Sequence, residues 1–374
     1  MSEYQYVYFA AVDRALDDKQ LAYMERQSTR AEVTPWQFEV EYHYSDFRGN
    51  ATEMLRRGYD VHLQYANYGV RKLMFRLPLG LPLNQPRFKA FELKYCIEWK
   101  KDSRGKGGAL SISPESDGGD YDEDYFDFDR LVAALPKIRE SLIAGDLRPL
   151  YLGWLACVDN EDAIEPPVPG GLNKLTKELN ELSAFYALSD DVVAAAALSA
   201  PALLKQPAKQ ESVEPWLQQR SAEELRDLMR RVIDGEGTSV QAETLATIRN
   251  ETGLAQWPTA IAKRTYGELL ELSEEIACVH EKREQQSKDR ARIKRLEAIK
   301  ADPSKAIAQA DKLVKTRSTD NYYQAAAILA ELRDALGSSD GPRRAEAAAK
   351  TLVRANPTLS YLKKALKEQG LNYK

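Results

Sequence analysis

The chain has 374 residues, 43% of them hydrophobic and 29% charged, a balance that excludes a disordered polymer and is large enough for two or three cores. Its net charge of −4 hides a gradient, because residues 1–166 carry −7 and residues 167–374 carry +3, so the two parts suit partners of different sign. Three scattered cysteines (Cys96, Cys157, Cys278), no leader pattern and no long apolar run argue against a disulfide scaffold, export and membrane insertion, and predict a soluble cytoplasmic protein.

Residues 4–12 (YQYVYFAAV) are aromatic or β-branched on both faces, as in a strand covered from both sides. Asp17-Asp18 opens an amphipathic helix running to Gln27, with Leu21 and Met24 facing inward. Residues 36–45 alternate with period two. Trp36, Phe38, Val40, Tyr42 and Tyr44 fall on one face, and Gln37, Glu39, Glu41, His43 and Ser45 on the other, so an antiparallel strand with one wet face is expected. Asn50 is placed to cap a short helix over 51–57. Val61, Leu63 and Tyr65, then Leu73, Phe75 and Leu77, form two further alternating runs joined by the turn Ala66-Asn67-Tyr68-Gly69. The pattern repeats at Phe91, Leu93, Tyr95, Ile97 and Trp99, and returns through 103–108 into Leu110 and Ile112. About six strands with helices between them predict an α+β domain over 1–165, with an antiparallel or mixed sheet.

An acidic run over 117–129 precedes a helix over 128–144, where carboxylates suit the positive end of the helix dipole. Gly145 to Leu155 reads as a short apolar helix. Glu165-Pro166-Pro167-Val168-Pro169-Gly170-Gly171 then reads as a seam, beyond which the periodic segments are helical. Helices near 172–187, 190–199, 221–234 and 238–251, with a linker from Pro201 to Pro215, make 166–258 a helical linker domain. Residues 259–301 form one helical run. Leu269, Leu272, Ile276 and Val279 keep heptad spacing and then give way to Arg283, Gln286 and Arg290, which predicts a partly exposed arm. Four short helices over 303–370 complete an arm-and-bundle region, 259–374. The small Ala325, Ala326, Ala327 and Ala330 beside Leu329 and Leu332 are similar to a tetratricopeptide-type hairpin.

The first part of the chain resembles a family of bacterial proteins of unknown function whose chains begin with Met-Ser-Glu-Tyr-Gln-Tyr. The residues that carry this are 1–6, Asp13-Arg14, Ser28-Thr29-Arg30-Ala31, Asp46-Phe47-Arg48-Gly49, Ala66-Asn67-Tyr68-Gly69, Leu73-Met74-Phe75-Arg76-Leu77-Pro78, Gly145 to Leu155, and Pro166-Pro167-Val168-Pro169. The match covers 1–200 and extends loosely into the helical tail. It departs at Ala15, where the family has proline, and at Tyr68, where it has tryptophan. The resemblance implies a bacterial origin and a shared fold, and brings no chemistry with it.

Residue by residue, catalytic signatures fail. His43 and His62 lie on polar faces of strands near Glu39 and Glu41, and a metal or acid–base site there needs them side by side with a third donor. Cys278 and His280 are two apart on a helix and point about 200° apart, so they cannot act together. Gly337-Ser338-Ser339-Asp340-Gly341 has the form of a nucleophile elbow but joins two helices with no histidine after it. Gly105-Lys106-Gly107-Gly108 lacks the spacing of a phosphate loop, and Asp120 to Asp124 lacks the glycine and final glutamate of a calcium loop.

Binding signals are stronger. Asp120, Asp122, Asp124, Tyr125, Phe126 and Asp127 form an acidic-aromatic strip suited to docking a basic groove. Residues 282–319 hold 12 Lys/Arg against 5 acids, and Arg283, Lys288, Arg290, Arg292, Lys294 and Arg295 are placed to track phosphates. No aromatic residue lies on this arm for base stacking. The expectation is a non-catalytic adaptor of a multiprotein assembly, with no metal and no cofactor. The alternatives are a nucleic-acid accessory protein acting through 282–317, and an enzyme with a polar site on the open sheet face.

Overall fold

The computed structural model describes residues 3–77, 88–102, 107–114, 127–203, 209–252, 257–261 and 263–373. Contacts gather the chain into two compact units, Met1–Ala277 and Cys278–Lys374. The fold is α+β.

Among the described residues the first unit is built on a seven-stranded antiparallel sheet. Its strands are β1 (Tyr4–Ala10), β2 (Glu32–Val33), β3 (Gln37–His43), β4 (Val61–Ala66), β5 (Val70–Leu77), β6 (Ile97–Lys101) and β7 (Gly108–Ile112), in the order β2-β3-β1-β4-β5-β7-β6. β1 lies between β3 and β4, and a core covers each of its faces, which explains why neither is polar. Tyr6, Tyr8 and Ala10 enter one core, and Val7, Phe9 and Ala11 enter the other.

Helices cover both faces. On the Val7/Phe9 side, α1 (Asp18–Glu25) and α2 (Ala51–Arg57) bring Met24, Met54 and Leu55 into the core. A capping box between Asp17 and Gln20 starts α1, and the Asn50 side chain accepts from the Glu53 amide to start α2. On the Tyr6/Tyr8 side lie α3 (Phe128–Ile143), α4 (Arg148–Cys157), α5 (Lys177–Phe185) and α6 (Asp190–Ala197). α4 is buried along nearly its whole length, which is why its sequence is apolar all round.

Three segments differ from the periodicity reading. Residues 91–96 are turns: Tyr95 sits at φ 71, Leu93 bridges to Ile97, and β6 begins only at Ile97. The apparent alternation there was coincidental to a turn. The proline seam is no bare breaker. Val168 and Pro169 form β8, paired antiparallel with β9 (Thr259–Ala260), and Val168 is fully buried. Because β9 draws Thr259 and Ala260 into this ladder, the long helix α10 starts at Tyr266 and runs to Ala301. Finally, Lys209–Gln218, which overlaps the end of the expected 201–215 linker, is a helix, α7, which buries Trp216.

The segment between β8 and β9 contains α5, α6, α7, α8 (Ala222–Arg231), a π-helical turn (Val232–Glu236) and α9 (Gly237–Thr252). Its two ends are fastened together: the Glu165 amide donates to the Arg264 carbonyl at 3.1 Å and the Gly170 amide to the Pro258 carbonyl at 2.8 Å. Residues 166–258 thus form an excursion with a closed base, and Leu179, Leu182 and Phe185 of this excursion pack into the core of the sheet.

The second unit packs α11 (Pro303–Lys315), α12 (Thr319–Ala355) and α13 (Ser360–Glu368) around an alanine-rich core of Ala310, Ala325, Ala326, Leu329, Ala345, Ala349 and Leu362. Alanines at the contacts let helix backbones approach closely, as the sequence pattern anticipates. α12 is two helices joined at Gly337, whose φ of 79° and ψ of −173° are open only to glycine.

Candidate functional site

Three buried ionic clusters stand out in the first unit, and each is closed on itself. Asp60, just before β4, is fully buried and accepts from the Val12 and Asp13 amides at 2.7 and 2.9 Å and from Arg76 Nε at 2.9 Å. Arg139 of α3 grips Asp13 with two bonds of 2.8 Å, and its Nε donates to the Arg76 carbonyl at 2.7 Å. Burial alone would raise the Asp60 pKa. The guanidiniums of Arg139 and Arg76 outweigh it and hold the carboxyl below its usual range. This cluster ties α3 to the ends of three strands. Asp146 holds Arg148 through Nη2 at 2.7 Å, and Arg148 stacks over the Trp257 ring at 4.9 Å. Glu165 accepts from Arg264 Nε at 2.6 Å and from the Tyr151 hydroxyl, while Arg264 Nη1 reaches the Ala195 carbonyl at 3.2 Å. Satisfied groups of this kind hold elements together, and each carboxylate already has its donors.

The two sheet histidines do not meet. His43 pairs in register with Tyr4, and His62 with Phe9, so they project from opposite faces. His43 is exposed, whereas His62 is fully buried and stacked on Phe9 at 4.1 Å. The His62 Nδ1 lies 3.1 Å from the Tyr8 carbonyl oxygen. A carbonyl only accepts, so this nitrogen carries the proton and Nε2, which has no partner, is left as a bare acceptor. Burial, with Lys72 nearby, pushes its pKa down to about 3. The sheet-face site that needed His43, His62 and Glu41 together is therefore not assembled. Cys278 and His280 lie on the exposed surface of α10, while burial pushes the Cys157 thiol pKa up. Among the described residues no group of three His, Cys, Asp or Glu side chains is arranged to hold a metal ion.

The acidic-aromatic strip falls mostly outside the described residues: Asp120, Asp122, Asp124, Tyr125 and Phe126 all do. Asp127 is described, and its side chain accepts from the Arg130 amide at 3.3 Å as the N-cap of α3. Capping gives this residue a structural task that its place in an acidic run concealed.

The basic arm stands apart. Residues 278–295 of α10 are exposed on every side of the helix, about 27 Å of it at 1.5 Å per residue. Its cations divide into two groups. Arg292 reaches Asp334 at 3.0 Å, Arg295 reaches Glu331 at 3.3 Å, and Lys288 reaches Glu284 at 2.8 Å. Arg283, Arg290 and Lys294 have no ion pair among the described residues, and their spacing of seven and four puts them on one stripe of the helix. The charge gradient is steeper at the structural boundary than a cut at the prolines implies. The first unit holds 32 Lys/Arg against 45 Asp/Glu, net −13, and the second holds 21 against 12, net +9. No helix among the described residues is long and apolar enough to cross a membrane. Compared with known proteins, the chain matches no family model, no curated protein and no solved structure.

Proposed function

We propose that the protein is a non-catalytic adaptor of a bacterial cytoplasmic assembly, which presents the exposed stretch of α10 and the basic second unit to an anionic partner. One observation carries this reading: an 18-residue run of helix, residues 278–295, is exposed on all sides and bears Arg283, Arg290 and Lys294 with no ion pair among the described residues. A helix whose residues are exposed all round over this length gains little from apolar packing there, so its regularity is best explained by what docks on it. Affinity purification of the full chain from its native host, with and without Arg283→Glu, Arg290→Glu and Lys294→Glu together, tests the proposal. The expected result is a defined co-purifying partner that the triple variant loses. Recovery of the free chain alone from both would end it.

The same unpaired cations favour a second reading, in which the anionic partner is nucleic acid. Filter binding of a short single-stranded oligonucleotide across a salt series checks it. Three phosphate contacts on a single strand predict a slope of log affinity on log salt of about −2, falling toward zero when the three residues are replaced by glutamine. Absence of binding at low salt, or a slope unmoved by the substitutions, removes nucleic acid from consideration.

A further inference from the structure

α8 is folded but unpacked. None of its residues is buried, nor any of the π-helical turn that continues it, yet Leu225, Leu228 and Met229 of the helix and Val232 and Ile233 of the turn recur at i, i+3, i+4, i+7 and i+8, the signature of a helix face made to be covered. Met229 is 60% exposed and Ile233 76%. Both ends of the helix are tied: a capping box between Ser221 and Glu224 starts it, and Arg231 reaches Glu236 and Glu243 at 2.8 Å each. A rigid apolar stripe in water is the pattern of an interaction surface.

The same unit contains a concave surface with apolar lining. A groove of about 770 Å³ runs between α5 and α6, lined by Leu172, Leu175, Leu188, Val193, Ala197 and Leu198, and Leu198 on its rim is 69% exposed. Charge agrees with shape. Arg226 lies about 20° around the helix from Ile233, at the border of the apolar stripe, and has no ion pair among the described residues. Asp190, which lines the groove, is exposed and likewise has no cationic partner there.

We infer that two copies of the chain associate about a two-fold axis, each seating the Met229/Ile233 face of α8 in the α5–α6 groove of the other, with Arg226 of one copy against Asp190 of its partner. A second copy is favoured over another occupant because the apolar face, the groove and the charges of opposite sign beside each, Arg226 and Asp190, all belong to one chain. In such a two-fold pair each contact is made twice. That doubling matters, since one helix turn alone covers less than the roughly 800 Å² per partner of a stable interface. The pairing is independent of the basic arm, so its failure leaves the adaptor reading intact, and the triple arm variant leaves the pairing intact.

Sedimentation of the full chain from about 1 to about 100 µM, where interfaces of this size associate, is expected to show the mass rising from one chain to two. Ile233→Glu on the helix and Ala194→Trp in the groove, each at a surface position with circular dichroism verifying the fold, are expected to weaken association by about tenfold or more. Arg226→Asp and Asp190→Arg are each expected to weaken it too, and the double variant to recover most of the loss, because the reciprocal pair is rebuilt with its signs exchanged. A single-chain mass throughout the range overturns the inference, leaving the face to a different protein. A two-chain species indifferent to both Ile233→Glu and Ala194→Trp overturns it as well, because the contact then lies elsewhere.

Discussion

His62 is the residue whose surroundings most constrain its chemistry. Its pKa stands near 3 in the folded chain against an ordinary 6.5, because burial disfavours the imidazolium. The unfolded chain therefore binds the extra proton first as pH falls, and stability declines from about pH 6.5 downward. Between pH 7 and pH 5 this one side chain is expected to remove about 2 kcal/mol of stability. Urea denaturation at the two pH values measures it, and His62→Leu is expected to shrink the difference by about that amount whatever it does to stability at pH 7. Asp60 titrates in a lower window. Its carboxyl is held below the normal range, so the stability it contributes is present above about pH 4 and lost only under stronger acid. Replacing it with alanine leaves Arg76 and Arg139 without their shared acceptor, and a loss of about 3–5 kcal/mol in denaturant unfolding is expected.

At the scale of elements, Gly337 isolates a backbone effect. A methyl group built there meets nothing within 4 Å, so Gly337→Ala leaves packing untouched while forcing alanine to φ 79°. The expected cost is about 1–3 kcal/mol in the thermal unfolding of the second unit, and no change points to a junction free to rearrange. Local signals of this kind are what the sequence expresses well. The Asn50 cap, the Ala66–Gly69 turn, the strands on either side of it and the alanine-lined hairpin were all legible because neighbours in sequence determine them. Long-range partners were not. Nothing near Asp13 announces Arg139, nor does anything near Glu165 announce Arg264, and each looks like an ordinary surface charge until the fold joins them. The candidate arm was half legible. Its charge and exposure could be read directly, but that Arg292 and Arg295 are paired, while Arg283, Arg290 and Lys294 have no ion pair among the described residues, depends on where Asp334 and Glu331 fall. The α8 face was amphipathic in sequence, and amphipathicity normally means a packed helix. That its apolar side stays bare is visible only in the structure.

For the whole molecule, the division into units of net −13 and +9, with the exposed stretch of α10 beginning at the boundary in sequence, sets where the chain first opens. Local unfolding is easiest where backbone hydrogen bonds meet water and side chains pack on nothing. Limited trypsin digestion is therefore expected to cut first among Lys282, Arg283, Lys288, Arg290 and Lys294, releasing a protected basic fragment that begins shortly after them. First cuts within β4 or α12 would contradict the two-unit architecture.

The closed base of the 166–258 excursion has a different bearing, on how the chain tolerates change in length. Where Val168 meets Ala260 and Pro169 meets Thr259, the chain leaves the body and returns to it at one place. Residues gained or lost inside that bracket alter the excursion without altering the distance its ends must span. Lengthening is cheapest at the exposed Gly235 in the turn after α8, where an added side chain meets no neighbour, and most disruptive near Leu179 and Phe185, which the sheet has already claimed. Natural variation in the size of this protein should gather at the far end of the excursion and spare its root.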